Sequence, residues 1–290
     1  MPSLKDIRKR ISSVKNTQKI TRALKLVSAA KLSRAQRELS RLKPYADKQQ
    51  EMIRDLVSEL GDAPSPLLEA RLEVRKVAVV LISSDRGMCG GFNSNLLKFF
   101  KSFVAQSKKN GVQVTSFPLG KRAIQFVEKG DYVMGKSWGE ALAADLMDRL
   151  PGLTRELVAG FSAGDFDEVV IISNRFINAI TQTPTNRGLL PMGAPEGEAQ
   201  STGSLDVRIY EPGQQELLDY VLPRALETQV RRVVLESITG EHAARMNAMN
   251  SATDNASDMI NSLTLDLNRA RQAAITKELM EIISGAEALK

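Results

Sequence analysis

One short stretch of this 290-residue chain has residue types that could bind a phosphate: Gly87-Met-Cys-Gly-Gly91, which follows a β-branched apolar run. Glycine-rich turns between a strand and a helix can present backbone N–H groups to an anion. The run matches neither G-x-G-x-x-G nor G-x-x-x-x-G-K-[ST], and no phosphate-binding lysine follows it. We therefore expect a tight strand-to-helix turn here, with nucleotide binding as the less favoured alternative.

The other candidate catalytic side chains are isolated from one another. His242 is the only histidine and Cys89 the only cysteine, so we expect no histidine-based metal site, no Cys–His pair and no cofactor. We predict that His242 packs on or caps a helix and that Cys89 is a small buried residue. The carboxylates of Asp254, Asp258 and Asp266 lie opposite an apolar stripe, so we expect them to face solvent. The sequence therefore predicts no active site.

The longest predicted element is the C-terminal stretch from residue 224 to residue 290. It contains no proline, and its only glycines are Gly240 and Gly285. One apolar stripe recurs at a mean step of roughly 3.67 residues, as on one face of a nearly straight helix. The stripe consists of Ala252, Ala256, Met259, Leu263, Leu267, Ala270 and Ala274. A helix of this length, about 100 Å, needs a second long helix or a partner protein beside it.

Residues 1–62 also have a helical pattern. The apolar stripe consists of Leu4, Ile7, Ile11 and Val14, and after a shift of Ile20, Leu24 and Val27. Gln18 and Thr21 interrupt this stripe, as in an imperfect coiled-coil seam. We expect Pro44 to kink the helix and the segment 61–66 to end it. Two long helices at opposite ends of the chain are predicted to pair as an antiparallel coiled coil.

The middle of the chain alternates between strand and helix patterns. We predict strands at 74–83, 112–117, 132–134, 168–173 and 205–210, a looser strand-like segment at 176–183, and a loop over 184–204. We predict helices at 92–106, 121–129 and 140–159, the last interrupted near Pro151 and Gly152. This alternation is typical of a parallel, Rossmann-like α/β sheet with helices on its faces. The predicted domains are a helix over 1–62, an inserted α/β domain over 72–210 and a helix over 211–290.

The net charge of +6 is unevenly distributed. Residues 1–43 carry 13 Lys and Arg against Asp6 and Glu38, so the rest of the chain is net negative. Such a basic arm suits a nucleic acid, an anionic membrane face or an acidic protein, or is a solvated helix face. Residues 1–43 lack aromatic side chains that could stack on bases, so we expect no nucleic acid. With no apolar run long enough for a membrane span and one cysteine, we expect a cytosolic or peripheral protein.

Three separated runs carry a family resemblance. They are residues 7–21 (IRKRISSVKNTQKIT) with 29–32, residues 84–93 (SDRGMCGGFN), and residues 241–256 (EHAARMNAMNSATDNA) continued by 268–279. Occurring in this order over essentially the whole chain, they resemble the γ subunit of bacterial F-type ATP synthases.

The resemblance implies a rotor shaft. In that family the terminal helices form an antiparallel coiled coil inside a ring of three α and three β subunits, and the α/β domain sits with the ε subunit on the membrane c-ring. Proton flow turns the c-ring and the shaft, and the shaft drives the β subunits through states that make ATP from ADP and phosphate. The resemblance implies a non-catalytic subunit, peripheral on the cytoplasmic face of the bacterial inner membrane, without direct membrane insertion.

The resemblance also assigns residues to three partner-binding sets. Contacts with a β subunit fall on Arg271, Gln272, Thr276 and Glu278. An apolar bearing falls on Ile275, Leu279, Met280, Ile282 and Ile283. A basic N-terminal face toward acidic segments of the β subunits falls on Lys9, Arg10, Lys15, Lys19, Arg22 and Lys25.

Three positions depart from the family pattern, and one family feature is missing. Leu24 replaces a usual Met, Lys25 an acidic or polar residue, and Leu267 a common aromatic, which affects the details of coupling. The cysteine pair that gives plastid relatives a redox switch is also missing, so we expect no thiol control.

Overall fold

The structure is a computed structural model that describes residues 4–60, 65–141, 145–192, 211 and 213–287. The helices are α1 Leu4–Leu60, α2 Phe92–Lys109, α3 Lys121–Lys129, α4 Leu146–Ala163 and α5 Gln214–Glu287. The strands are β1 Lys76–Ile82, β2 Gln113–Leu119, β3 Val133–Met134, β4 Glu168–Phe176 and β5 Gln182–Leu190. The predicted strand at 205–210 lies outside the described residues.

Both long helices continue through an internal proline. Pro44 lies inside α1, and Pro223 lies in the third turn of α5, which begins at Gln214, inside the predicted helical segment 211–290. A proline removes one backbone hydrogen bond of a helix. Apolar residues at helical spacing continue on both sides of each proline, and their burial maintains the helix.

The prediction for α4 was wrong in two respects. The helix begins at Leu146 rather than at residue 140, and it runs through Pro151 and Gly152 without interruption. Pro151 is the sixth residue of α4. The one backbone hydrogen bond that it cannot donate would have gone to a carbonyl in the first turn, so the rest of the helix keeps its bonds. A Cβ at Gly152 would lie 3.2 Å from the Trp138 ring. The glycine therefore makes room for an aromatic ring packed against the helix.

The five strands form one sheet in the order β3-β2-β1-β4-β5. β1 pairs in parallel with β2 and with β4, and β2 pairs in parallel with β3. The chain first builds the sheet from β1 toward β3 and then returns through α4 to place β4 on the other side of β1. This arrangement confirms the Rossmann-like α/β prediction.

The edge strand β5 corrects the sequence prediction of a loop after residue 184 and of an entirely parallel sheet. β5 pairs antiparallel with β4, with Pro184 opposite Asn174 and Gly188 opposite Val170. Only five residues, 177–181, join the two strands, and so short a connection allows only an antiparallel hairpin. Because β5 contains proline and glycine, its sequence does not have the pattern of a strand, but both residues are tolerated at a sheet edge.

Alternate residues of the central strands enter two separate cores. On one face, Ala78, Val80 and Ile82 of β1 are buried in a cluster that includes Leu157 of α4 and Leu226 of α5. On the other face, the cluster is formed by Val77, Val79, Leu81, Leu96, Phe100, Ala123, Val127 and their neighbours. Because both faces are covered, β1 is apolar at nearly every position.

The chain divides into two compact units. One consists of Met1–Ala29 with Arg245–Lys290, and the other is Ala30–Ala244. The first, here called the helix-pair unit, contains the N-terminal part of α1 and the C-terminal part of α5. The second, here called the α/β unit, contains the whole sheet together with α2, α3, α4 and the remaining parts of α1 and α5.

Asp167 fixes the start of β1 within the α/β unit. Its Oδ2 accepts bonds from the backbone N–H groups of Arg75 and Lys76, both at 2.8 Å, and its Oδ1 pairs with Arg71 at 3.3 Å. Burial opposes ionisation, but the two N–H donors and the Arg71 charge outweigh it and hold the pKa below its ordinary value.

We expect Asp167→Asn to lower the free energy of unfolding at neutral pH, because the amide keeps the shape but loses the charge. A depressed pKa stabilises the fold above the unfolded-state pKa and loses this effect as the pH falls through the folded-state value. The difference between parent and variant in urea denaturation should therefore be largest near pH 7 and shrink below about pH 4. A difference independent of pH would contradict this role.

Candidate partner interface

The α1 and α5 segments of the helix-pair unit run antiparallel. The hydrogen bonds between described residues of the two helices include three side-chain pairs. Gln18 Nε2 donates to Ser257 Oγ at 2.6 Å, the Thr21 and Thr253 hydroxyls lie 2.8 Å apart, and Lys25 Nζ donates to Asn250 Oδ1 at 2.6 Å. Successive partners advance along α1 by three and four residues while they retreat along α5 by four and three. This pattern confirms the predicted antiparallel coiled coil.

The seam of α1 keeps one heptad register throughout this unit. Buried and half-buried positions recur at alternating steps of three and four residues: Leu4, Ile7, Ile11, Val14, Gln18, Thr21, Lys25 and Ser28. The predicted shift to Ile20, Leu24 and Val27 was wrong for two of its three residues, since Ile20 is 60% exposed and Val27 is 53% exposed, whereas Leu24 is half-buried. The polar residues that seemed to interrupt the stripe are part of the seam, because α5 supplies their hydrogen-bond partners.

The stripe on α5 agrees with the prediction except at one position. Ala256 is buried, and Ala252, Leu263, Leu267, Ala270 and Ala274 are half-buried. Met259 is 53% exposed, and the adjacent Ile260 takes the half-buried position instead. Both residues are apolar at nearly the same helical spacing, so periodicity alone could not distinguish them.

The end of α5 extends past the first described residue of α1. The register of the three bonds places Leu4 near residue 271, so the following turns of α5 have no described α1 residue beside them. The five predicted bearing residues, Ile275, Leu279, Met280, Ile282 and Ile283, are all exposed. A run of large apolar side chains exposed on one helix end is typical of a surface that a partner protein covers.

The four polar residues assigned to the same helix end are also exposed: Arg271, Gln272, Thr276 and Glu278. At about 100° per residue, Arg271 and Glu278 lie on one side of the stripe formed by Ile275, Leu279 and Ile282. Gln272 and Thr276 lie toward its other side, where the Thr276 hydroxyl donates to the Gln272 carbonyl at 2.9 Å. Polar groups therefore flank an apolar strip.

The six predicted basic residues do not share one face of α1. Lys15, Lys19 and Arg22 follow one another at steps of four and three and form one exposed row. Lys9 and Arg10 are exposed on other sides of the helix. Arg10 lines a cavity of about 400 Å³ with Ile7, Leu263, Asp266, Arg269, Ala270 and Ala273. Lys25 is a half-buried seam residue.

In the α/β unit, the glycine-rich run lies at the carboxyl end of β1, beside β4. This is the switch point where open α/β folds bind ligands. Met88 and Gly90 have left-handed φ angles of 60° and 57°, which confirms the tight turn. Asn174 Nδ2 at the end of β4 donates to the Phe92 carbonyl at 3.1 Å and is buried. Protein groups therefore fill this part of the switch point.

The N-terminus of the neighbouring helix α3 already binds a carboxylate of the protein, that of Asp85. Asp85 Oδ1 accepts the backbone N–H of Lys121, the first residue of α3, at 3.0 Å and that of Ala141 at 2.9 Å. The Lys121 ammonium pairs with Glu140 at 2.7 Å. A carboxylate at a helix N-terminus takes the place that a phosphate would occupy. The arrangement favours a structural turn over a nucleotide site.

Cys89 is buried beside this turn, as expected from its sequence context. Asn93 Nδ2 lies 3.3 Å from its sulfur and 2.6 Å from the Ser84 hydroxyl. The family resemblance implies a role in coupled ATP synthesis, and we expect Cys89→Ala to leave that synthesis unchanged and synthesis by the parent to be equal under oxidant and reductant. A reversible change of synthesis in the parent that disappears in the variant would reveal a thiol switch.

The remaining candidate residues have the predicted structural positions. His242 is buried on α5, whereas Asp254, Asp258 and Asp266 are exposed. In the part of the chain that the structure describes, no three His, Cys, Asp or Glu side chains are grouped as metal ligands. None of the helices in the described ranges combines the length and the hydropathy that crossing a bilayer requires.

Comparison with known proteins decides the family. A family model described as ATP synthase matches residues 3–289. The chain is 42% identical over 290 residues to an ATP synthase gamma chain of Trichlorobacter lovleyi and 44% identical over 290 residues to one of Geobacter metallireducens, with both proteins of each pair fully covered. The chain belongs to the ATP synthase gamma chain family. It is also 40% identical to the gamma chain of Chloroflexus aurantiacus, covering 99% of that relative.

Chains in solved structures of mitochondrial ATP synthases share the fold. A chain from the Tetrahymena thermophila mitochondrial ATP synthase central stalk and c-ring has a TM-score of 0.61 at 22% identity, covering 80% of this chain and 99% of that chain. A chain from the Euglena gracilis mitochondrial ATP synthase has a TM-score of 0.64 at 16% identity, covering 99% and 94%. The paired helices and the inserted α/β sheet are thus the fold of the family.

Proposed function

We propose that this chain is the central rotor shaft of an F-type ATP synthase. It couples proton-driven rotation of the c-ring to conformational cycling of the catalytic β subunits, which make ATP from ADP and phosphate. It performs no catalysis itself. The observation that carries the proposal is the apolar end of α5, exposed beyond the described part of α1 and flanked by polar side chains, on a chain of the gamma family.

The exposed helix end suits contact with partners that change their relative orientation. Apolar contacts are non-directional, so Ile275, Leu279 and their neighbours can bear against a surrounding ring at many angles. Directional bonds from Arg271, Gln272, Thr276 and Glu278 to a β subunit would favour particular angles, each by roughly 1–3 kcal/mol if charge-assisted. The proposed partners are three α and three β subunits.

The basic row of α1 provides the electrostatic part of the interface. Lys15, Lys19 and Arg22, together with Lys9 and Arg10, would face acidic segments of the β subunits. Lys25 belongs to the same proposed set, but its ammonium already bonds Asn250, so its replacement should weaken the contact least. The contribution of these residues should fall with rising ionic strength, because exposed charges are screened.

We further propose that residues 72–210, inserted between the helical segments 1–62 and 211–290, contact the ε subunit and the c-ring. The chain would then be peripheral on the cytoplasmic face of a bacterial inner membrane.

Assembly with the catalytic subunits tests the proposal. The purified full chain is mixed with α and β subunits from its own organism and Mg-ATP, separated by size exclusion, and the peak is assayed for ATPase activity. We expect one copy to enter a complex with three copies of each partner and turnover to depend on it. A chain that elutes alone beside active α and β subunits would contradict the proposal.

A further inference from the structure

The seam between α1 and α5 contains a polar layer, defined here as Gln18, Thr21 and Lys25 with Ser257, Thr253 and Asn250. We propose that this layer selects one rotation and one offset of α1 against α5, in competition with an apolar arrangement that the same sequence allows. The inference does not rest on the shaft function, because it concerns only the two helices within the helix-pair unit.

The competing arrangement is visible in α1 itself. Ile20, Leu24 and Val27, here called the second stripe, each precede a seam residue by one position, which is a rotation of about 100°. Burial of apolar surface alone would favour a local overwinding of α1 between Val14 and Ile20, which keeps the preceding apolar residues in the seam and turns the second stripe toward α5. The structure instead leaves Ile20 and Val27 exposed and Leu24 half-buried, and it buries Thr21 and Ser28 to 7% and 3% exposure.

The hydrogen bonds of the polar layer account for this choice. All three cross-helix bonds fit one offset, so a rotation or a slide of α1 would break them together. Thr21 and Lys25 would then leave partners behind in a partly buried seam, which is unfavourable. Polar residues in a coiled-coil seam are known to fix register at some loss of stability.

Side chains on the α5 side of the layer are also bonded within α5. The Thr253 hydroxyl lies 2.7 Å from the Met249 carbonyl, and the Ser257 hydroxyl lies 3.3 Å from the Thr253 carbonyl. The Thr21 hydroxyl likewise lies 3.0 Å from the Gln18 carbonyl, so one of the two threonines donates across the seam while the other donates within its own helix. A hydroxyl has one proton, so Ser257 accepts from the Gln18 amide while it donates to its own helix. The acceptors that face α1 are therefore held by their own helix.

The test measures the helix arrangement in the full chain. Spin labels are placed on exposed residues of α1 and α5 through Ala23→Cys and Ser251→Cys, with the parent chain, whose Cys89 is buried, as the labelling background. Pulsed electron resonance then gives the distribution of label-to-label distances. We expect one narrow peak in the otherwise unmodified chain.

The layer variant replaces the polar groups with apolar ones of similar size: Gln18→Leu, Thr21→Val, Lys25→Met, Asn250→Leu, Thr253→Val and Ser257→Ala. We expect a second or broadened distance peak together with a Tm equal to or above that of the parent. The milder pair Thr21→Val and Thr253→Val should give the same second peak at lower amplitude.

A rescue distinguishes register selection from a merely structural role. Adding Ile20→Gln, Leu24→Gln and Val27→Gln to the layer variant should restore the single narrow peak, because the competing stripe is removed. The same three substitutions in the parent are the matched control and should leave the peak unchanged. A layer variant that keeps the parent's narrow peak, loses its helical circular dichroism, or stays broad after the rescue would overturn the proposal.

Discussion

Replacing Ala256 by proline is expected to abolish assembly of the chain with the proposed α and β partners. Ala256 is a buried seam residue well inside α5, far from either end of the helix. A proline there removes one backbone hydrogen bond and brings its ring against the carbonyl four residues earlier, which destabilises the helix locally by about 3 kcal/mol or more. Urea denaturation followed by circular dichroism, with size exclusion in the presence of α and β, measures both effects.

The matched control for the proline is Ala256→Gly. Glycine also removes the methyl group from the seam, but it keeps the N–H and costs only about 1 kcal/mol. We expect this variant to assemble, with a modest loss of stability. Normal assembly and parent-like stability of Ala256→Pro would mean that α5 need not be continuous.

The double substitution Arg271→Ala with Gln272→Ala is expected to lower coupled ATP synthesis about tenfold without changing Tm. Both side chains are exposed at the end of α5, so their loss leaves no buried group unpaired in the isolated chain. If the two side chains bind a β subunit at particular rotation angles of the shaft, their removal takes about 1.4 kcal/mol of stabilisation from the rate-limiting state. This loss corresponds to a tenfold lower rate of synthesis. Synthesis in inverted membrane vesicles, normalised to assembled complex, measures it.

The chain provides a matched control one turn earlier on the same helix. Asn268→Ala with Arg269→Ala removes an amide and a guanidinium of the same types, both also exposed. We expect synthesis close to that of the parent in this control. An equal loss in both double variants, or no loss in either, would remove the role assigned to Arg271 and Gln272.

The sequence predicted those elements whose physical cause is local. The apolar run of β1 and the spacing of α3 are local signals, and both appear where they were expected. The long helices were also predictable, because nothing between residues 224 and 284 stops a helix. The edge strand β5 was missed because its proline and glycine are tolerated only by its position at the sheet edge, which is a property of the tertiary structure.

The candidate interface was predictable only in part, because some of its features depend on the tertiary structure. The family resemblance located the residues at the end of α5, and their exposure follows from the register of the two helices. The seam of α1 could not be predicted from apolar spacing. Thr21 rather than Ile20 lies in the seam, where its hydroxyl lies 2.8 Å from that of Thr253, 232 residues away along the chain. A hydrogen bond of this kind leaves no periodic signal in either helix.

The measurement that tests the central claim most directly is rotation of single molecules. The complex of this chain with α and β subunits is fixed to a surface through the β subunits, and a bead is attached through Lys109→Cys at the exposed end of α2. With Mg-ATP present, a shaft turns the bead in one direction in discrete steps. A bead that stays still while the same complexes hydrolyse ATP would contradict the rotor function.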